Sequence, residues 1–175
     1  MIFVLTGPVH SGKTTLLEKA VHEFRKHKFK IDGFLSKALW ERQEVIGYDL
    51  FDLREGSSIP LLRRTGESDW QRAGSYFFLP SGLDEAERII MRSRNADLFV
   101  VDEIGPLELS GKGFWPALKQ ALFPPQTVYL IVVRDKILED FLGVLGRSQT
   151  KVFGVRDEVT LSRLTEEIRE AVQSR

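Results

Sequence analysis

The chain has 175 residues, and its 25 lysines and arginines balance its 25 aspartates and glutamates. Because neither sign of charge dominates, we expect no nucleic-acid partner and no attraction to an anionic membrane. The absence of cysteine excludes disulfides, thiol catalysis and thiolate metal sites. No apolar run approaches the roughly 20 residues that span a bilayer, so we expect a single cytoplasmic domain at residues 1–175.

The first predicted strand leads into a phosphate-binding loop. An apolar run at residues 2–5 is followed by the string GPVHSGKT at residues 7–14, which matches the pattern G-x-x-x-x-G-K-[ST]. An amphipathic helix is predicted next, from apolar residues at helical spacing: Leu16, Leu17, Ala20, Val21 and Phe24. This order of strand, glycine turn and helix points backbone N–H groups and the positive end of the helix dipole at an anion.

The loop motif predicts a site for a nucleoside triphosphate. Lys13 would bring a mobile positive charge to the β- and γ-phosphates and is a predicted catalytic residue, while the Thr14 hydroxyl is a predicted ligand of Mg²⁺. The residues expected to contact the nucleotide are those of the loop and the start of the helix: Gly7, Pro8, Val9, His10, Ser11, Gly12, Lys13, Thr14 and Thr15.

A β-rich stretch interrupts the alternation of strands and helices. Residues 44–51 and 74–79 are predicted strands, and turn signals lie at residues 56–58 and 65–68. We interpret about residues 38–79 as an insertion after the second strand, at the edge of the sheet. The segment is too short for a core of its own, so a second domain is not expected.

Two adjacent acids follow the predicted strand at residues 98–101, namely Asp102 and Glu103. Ligands of open parallel sheets bind beyond the carboxyl ends of the strands. Asp102 is therefore a predicted ligand of Mg²⁺, and Glu103 is the predicted general base that activates the attacking water. The alternative interpretation of this pair is a strand end that carries two solvated acids.

Three basic residues are further candidates for the site. Arg134 follows the predicted strand at residues 128–133, and Lys37 lies shortly after the one at residues 31–35. Each could neutralise charge on the transferred phosphoryl group, or be an ordinary solvated charge. Arg147 could belong to a lid that closes over the triphosphate.

No residue is assigned to the base of the nucleotide. Trp40, Trp70 and Trp115 have rings that could stack on a base, although Trp115 is expected to pack beside Phe114. The string Asn-Lys-x-Asp, which reads guanine in regulatory GTPases, does not occur.

The apolar patterns predict an α/β fold. Continuous apolar runs are typical of parallel strands covered on both faces, and helical stripes, including one at residues 161–172, alternate with them. The expected architecture is a mostly parallel central sheet flanked by helices.

The chain resembles the small P-loop nucleoside triphosphatases of thermophiles and animals, often called cancer-related nucleoside triphosphatases. The resemblance covers nearly the whole chain and rests on residues 7–15, Gly33-Phe34, Gly47-Tyr48-Asp49, Gly74-Ser75-Tyr76 and, above all, the string VDEIGPLEL at residues 101–109. It implies a three-layer RecA-like fold, Mg²⁺ as cofactor and slow hydrolysis of ATP, GTP and other triphosphates. The chain departs from the family pattern at Pro106-Leu107, Ser162-Arg163 and residues 35–37. The resemblance therefore implies no residues that contact the base of the nucleotide.

The predicted function is Mg²⁺-dependent hydrolysis of the β–γ bond of nucleoside triphosphates with little base selectivity. Two alternatives stay open at this point. The same scaffold serves phosphotransferases, in which the β-rich insertion would form the pocket for an acceptor. A nucleotide-binding switch without significant turnover would show the same phosphate motif. The oligomeric state is not predicted.

Overall fold

The computed structural model describes residues 1–9, 11–122, 127–146, 150–155 and 160–175, so that the predictions for His10 and Arg147 lie outside the described residues. The described strands are β1 (Ile2–Gly7), β2 (Ile31–Glu41), β3 (Glu44–Asp52), β4 (Ser58–Arg63), β5 (Arg72–Ala73), β6 (Tyr76–Phe78), β7 (Leu98–Ile104), β8 (Val128–Arg134) and β9 (Thr150–Gly154). The described α-helices are α1 (Lys13–Lys26), α2 (Pro80–Met91), α3 (Pro106–Leu109), α4 (Trp115–Leu122), α5 (Leu138–Leu145) and α6 (Thr160–Gln173).

These strands form one sheet in the order β5-β6-β4-β3-β2-β7-β8-β1-β9. Going along this order, β2, β7, β8, β1 and β9 pair in parallel with their neighbours. The other part of the sheet, from β5 through β6, β4 and β3 to β2, is joined by antiparallel pairs. β8 separates β1, which leads into the phosphate loop, from β7, which carries Asp102 and Glu103. The predicted parallel central strands, with a β-rich insertion at one edge of the sheet, are confirmed.

Helices cover both faces of the parallel strands. On one face, Leu17 and Phe24 of α1 and Leu164 of α6 join a buried apolar cluster with the strands. On the other face, Ile89 of α2 and Leu118 of α4 do the same. Because β1 is buried along its whole length, its sequence is a continuous apolar run rather than an alternating one. The three-layer prediction is confirmed. Within the described ranges, no helix is long and apolar enough to cross a membrane.

The β-rich insertion begins inside β2 rather than after it. β2 pairs with β7 only over residues 31–34 and then continues to Glu41 in a hairpin with β3. The predicted strand at residues 74–79 is wrong in its first part, because Gly74 has a φ of +62° and belongs to the turn between β5 and β6. β4 was not predicted, since Pro60 within it has no backbone N–H to donate and weakens the strand pattern.

A buried ion cluster connects the insertion to the body of the protein. The guanidinium of Arg92, at the end of α2, lies with Nε 2.9 Å from Asp32 Oδ2 of β2 and with Nη2 2.7 Å from Asp52 Oδ1 of β3. Both carboxylates are almost fully buried, at 4% and 1% exposed. The cluster therefore fixes the base of the β2–β3 hairpin against α2.

Candidate active site

The phosphate loop has the strand–turn–helix context that its motif requires. β1 ends at Gly7, and α1 begins at Lys13 after Gly12, which has a left-handed φ of +85°. A Cβ on Gly7 would lie 2.5 Å from Val155 Cγ1, so only glycine fits there. The Ser11 hydroxyl oxygen is buried and has no hydrogen-bond partner among the described residues. A buried donor without a partner in this loop fits contact with a phosphate oxygen.

The Lys13 side chain folds back along the loop. Its ammonium group donates hydrogen bonds to the carbonyl oxygens of Gly7, at 3.0 Å, and Pro8, at 2.7 Å. It also lies 3.3 Å from Glu103 Oε1. Lys13 is only 6% exposed, so its charge acts within a largely desolvated site.

Thr14 and Asp102, the two predicted metal ligands, contact each other across 88 positions of sequence. The Thr14 hydroxyl donates to Asp102 Oδ2 at 3.0 Å. The backbone N–H of Ser36 donates to the same carboxylate oxygen at 3.3 Å, and the Ser36 hydroxyl donates to the Asp102 carbonyl oxygen. Ser36 was not predicted as a site residue. Its position after the parallel part of β2, at the same edge of the sheet, was the available signal.

This pair offers oxygen atoms of the kind that Mg²⁺ takes as ligands. Burial, followed by the charge of the neighbouring Glu103, raises the pKa of Asp102 to about 7, while the Thr14 and Ser36 hydrogen bonds oppose the rise. A buried carboxylate and a hydroxyl beside a phosphate loop are hard oxygen ligands, which Mg²⁺ prefers. The described residues contain no group of three or more acidic or imidazole side chains that could hold a metal. Mg²⁺ needs no such group when substrate phosphates and water complete its shell.

Asp102 and Glu103 lie inside β7 and not beyond it as predicted. β7 pairs with β8 at Val101–Ile131 and next at Ile104–Val133, so β7 contains one extra residue between these pairs. Such a bulge disturbs the alternation of side chains along a strand, which local sequence does not reveal. The adjacent carboxylates reach different partners: Asp102 bonds to Thr14, and Glu103 contacts Lys13 and Arg134.

Glu103 lies between two cations. Its Oε1 is 3.3 Å from Lys13 Nζ, and its Oε2 accepts a hydrogen bond from Arg134 Nε at 3.3 Å. Arg134, the candidate after β8, is therefore part of the site. Lys37 is directed elsewhere, because its ammonium lies 3.1 Å from Glu18 Oε1 and 4.0 Å from the centre of the Phe51 ring.

Glu108 supports the backbone that follows the two carboxylates. Its Oε2 accepts a hydrogen bond from the Gly105 N–H at 2.9 Å, and the side chain is buried. Burial raises the pKa of Glu108 to about 7, although the N–H groups of Glu108 and Gly105 and the charge of Arg134 act against the rise. Glu108 thus joins the start of α3 to the end of β7.

A cavity of about 490 Å³ opens above these groups. Its lining comes from the phosphate loop and the start of α1, from Glu103 and Arg134, and from Ala38, Trp40 and Tyr48 of the β2–β3 hairpin. A smaller cavity of about 70 Å³ adjoins the carboxylates and has apolar walls that include Leu61 and Phe78.

The tryptophans differ in their environment. Trp40 is 60% exposed on the wall of the larger cavity, whereas Trp115 is 6% exposed. The ring partner of Trp115 is Phe141, at 6.0 Å between centroids, and not Phe114, whose ring packs on Phe34. Trp115 is therefore a core residue.

Comparison with known proteins gives consistent relatives. The model of a family described as NTPase matches residues 2–174. The chain is 32% identical to the nucleoside-triphosphatase THEP1 of Archaeoglobus fulgidus over 170 residues, which cover 96% of each protein. It is 29% identical to the human cancer-related nucleoside-triphosphatase over 168 residues, 88% of this chain and 87% of the human one.

Two solved structures share the fold. The solution structure of a human cancer-related nucleoside triphosphatase matches with a TM-score of 0.74 and 30% identity, over 98% of this chain and 97% of that one. The crystal structure of THEP1 from Aquifex aeolicus matches with a TM-score of 0.76 at 23% identity, over 98% of this chain and 99% of that one. With the phosphate loop and the paired carboxylates in place, these matches show that the chain belongs to the NTPase family.

Proposed function

We propose that the protein is a Mg²⁺-dependent nucleoside triphosphatase that hydrolyses the β–γ bond of ATP, GTP and other triphosphates with little base selectivity. The observation that carries the proposal is the convergence of Lys13, Thr14 and Glu103 on the cavity above the phosphate loop, with Asp102 hydrogen-bonded to Thr14 and lining the adjoining smaller cavity. The relatives named as nucleoside-triphosphatases support the same activity.

The loop and its lysine would bind the phosphates. The N–H groups at the start of α1 and the helix dipole favour an anion there. Lys13 would leave the Gly7 and Pro8 carbonyl oxygens and turn its ammonium to the β- and γ-phosphates. Thr14 and Asp102 would hold Mg²⁺, which, when bound, neutralises charge on the phosphates.

Glu103 would act as the general base. Its Oε1 is ion-paired with Lys13 at 3.3 Å but accepts no hydrogen bond among the described residues. Once Lys13 turns to the phosphates, this oxygen would be available to a water proton. As the water oxygen forms a bond to the γ-phosphorus, Glu103 takes a proton from the water. The bond between the γ-phosphorus and the oxygen that bridges it to the β-phosphorus breaks, which releases the nucleoside diphosphate. Arg134, which holds the other carboxylate oxygen, places a positive charge beside the reacting phosphoryl group.

The test is the substitution Glu103→Gln, with Glu18→Gln as the matched control. Glu18 lines the same cavity but faces Lys37. Loss of a general base costs about 10²–10⁴ in rate, so Glu103→Gln should bind triphosphate nearly normally and release phosphate at least about a hundredfold more slowly. Phosphate release and calorimetric binding with Mg²⁺ measure both quantities. Hydrolysis by Glu103→Gln at the parent rate would show that water is activated elsewhere.

A cytoplasmic location and the lack of a nucleic-acid partner remain proposals. The balanced charge and the absence of cysteine in the sequence support them.

A further inference from the structure

The cavity continues well past the groups that hydrolysis requires. Ser36 contacts Asp102, and Trp40 lies four residues further along β2. At the usual rise of a strand, this separation is about 13 Å. An attacking water needs contact with Glu103 alone, so the attack itself gives no role to the outer end of the cavity, at Ala38 and Trp40.

That outer end offers ring surfaces rather than phosphate-binding groups. Ser36, Ala38 and Trp40 alternate along β2 and so share one face of the strand, and Tyr48 is paired opposite Ala38 on β3. Of the cations that line this cavity, Lys37 is paired with Glu18 and Arg134 with Glu103. A flat apolar wall of this composition favours a planar ring.

The Tyr48 ring and the backbone that carries Trp40 are held in place. Trp40 is paired with Val45 in the β2–β3 ladder, although its indole is 60% exposed. The Tyr48 ring packs edge-on against Tyr76, with 5.4 Å between ring centroids. An exposed tryptophan on a paired strand, in the same cavity as Glu103, offers its ring face to a ligand.

We infer that Ala38, Trp40 and Tyr48 form a subsite for a second substrate, a nucleoside-like molecule with a planar heteroaromatic ring and a hydroxyl group, and that the enzyme transfers the γ-phosphoryl group to it in competition with water. The inference rests on the proposed function, because it uses the same triphosphate site. The hydroxyl oxygen of the acceptor forms a bond to the γ-phosphorus, and Glu103 takes the hydroxyl proton. The bond between the γ-phosphorus and the oxygen that bridges it to the β-phosphorus breaks. The products are the phosphorylated acceptor and the nucleoside diphosphate.

The first measurement uses the parent protein. ATP labelled at the γ-phosphate is incubated with Mg²⁺ and, separately, with adenosine, guanosine, cytidine or uridine. Labelled nucleoside monophosphate is expected with at least one of them, at the expense of labelled inorganic phosphate. If no nucleoside gives a labelled product while phosphate release continues, the subsite is wrong and the proposed hydrolysis stands. If the parent makes labelled monophosphate but releases no phosphate without an acceptor, the subsite is right and the proposed hydrolysis is wrong.

The second measurement compares Trp40→Leu with Trp70→Leu. Trp70 lies in the loop after β4, outside this cavity. Because stacking on an aromatic side chain contributes substantially to the binding of each base, Trp40→Leu should raise the KM for the nucleoside by at least about tenfold, and Trp70→Leu should not. Equal KM values in both variants would overturn the inference. Triphosphate affinity of Trp40→Leu is also measured in the absence of nucleoside. A loss of that affinity would overturn the inference, since the indole would then belong to the triphosphate site.

Discussion

Lys13 contacts the Gly7 and Pro8 carbonyl oxygens and Glu103, and a bound triphosphate has to compete with these three partners. The competition is favourable because a triphosphate carries several negative charges, while the loop carbonyls are neutral dipoles. Release of Lys13 would also leave Glu103 with Arg134 as its remaining cationic partner among the described residues. The same lysine thus influences both phosphate binding and the surroundings of the base.

Replacement of Lys13 by alanine should weaken triphosphate binding by about tenfold to a hundredfold, because charge-assisted hydrogen bonds contribute about 1.5–3 kcal/mol. Calorimetry with a non-hydrolysable triphosphate and Mg²⁺ measures the loss. Lys37→Ala is the matched control, since Lys37 lines the same cavity but is paired with Glu18. Unchanged affinity in Lys13→Ala would mean that residues 7–14 are not the triphosphate site.

Glu108 makes the stability of the protein depend on pH. Its ordinary pKa is 4.5, and burial raises it to about 7 in the folded protein. Between these values the folded chain holds a proton that the unfolded chain has lost. The contribution of Glu108 to the free energy of unfolding is therefore fully present below pH 4.5 and decreases as the pH rises towards 7.

Substitution of Glu108 by glutamine removes this titration and keeps an oxygen that can accept the Gly105 hydrogen bond. One pKa unit corresponds to about 1.4 kcal/mol. From pH 4.5 to pH 8, the stability of Glu108→Gln relative to the parent should therefore rise by about 3 kcal/mol. Urea unfolding of both proteins across this range measures the difference in the free energy of unfolding. Asp102 titrates in both proteins, so its contribution cancels. Parallel stability curves would show that Glu108 titrates normally.

At the scale of elements, the position of the β2–β3 hairpin depends on one guanidinium. Arg92 bonds to Asp32 and Asp52, which lie at the base of the two strands. Burial alone would raise the pKa of Asp52, but hydrogen bonds from Arg92 and from the N–H groups of Glu55 and Arg54 hold this pKa below its usual value. Because the hairpin carries Ser36 and Trp40, the cluster also sets the shape of the cavity.

Arg92→Leu should lower the free energy of unfolding by about 3–5 kcal/mol, because it leaves two buried carboxylates without their main partner. Arg88→Leu is the control: Arg88 is also on α2, but its side chain is 55% exposed and bonds mainly to Glu85. Its loss should cost less than about 1 kcal/mol. Chemical denaturation of the two variants tests the difference, and equal losses would mean that the cluster does not hold the hairpin.

Over the whole molecule, the polar groups gathered at the phosphate loop are those that the proposed function assigns to phosphates and a metal ion. In the described part of the chain they include the Lys13 ammonium, the Thr14 hydroxyl and the Asp102 and Glu103 carboxylates. The guanine-reading motif does not occur in the sequence. The strength of triphosphate binding should therefore come from the part that all nucleotides share.

Values of kcat/KM for ATP, GTP, CTP and UTP should accordingly lie within about a thousandfold of one another. Larger discrimination generally requires buried hydrogen-bonding groups that are left unpaired by the wrong substrate. Steady-state phosphate release with each triphosphate measures the four values. A preference above that limit for one base would place such groups near the nucleotide.

The sequence by itself determined the features that depend on local spacing. The phosphate loop, its strand and helix, and the buried strand that carries Asp102 are all recognisable because glycine positions and apolar periodicity act over a few residues. The resemblance to a known family added the three-layer architecture. β4 was missed and the strand near residue 74 misplaced because a proline and a turn glycine weaken the pattern of these short strands.

Only the tertiary structure decided which of the candidate side chains meet. Ser36 reaches Asp102 because β2 lies beside β7, and Arg134 reaches Glu103 because β8 lies between β7 and β1. Lys37, which like Arg134 was a candidate because it follows a predicted strand, is ion-paired with Glu18 instead. Strand order, the bulge in β7 and the direction of long side chains result from packing between residues far apart in the chain, which no local pattern encodes.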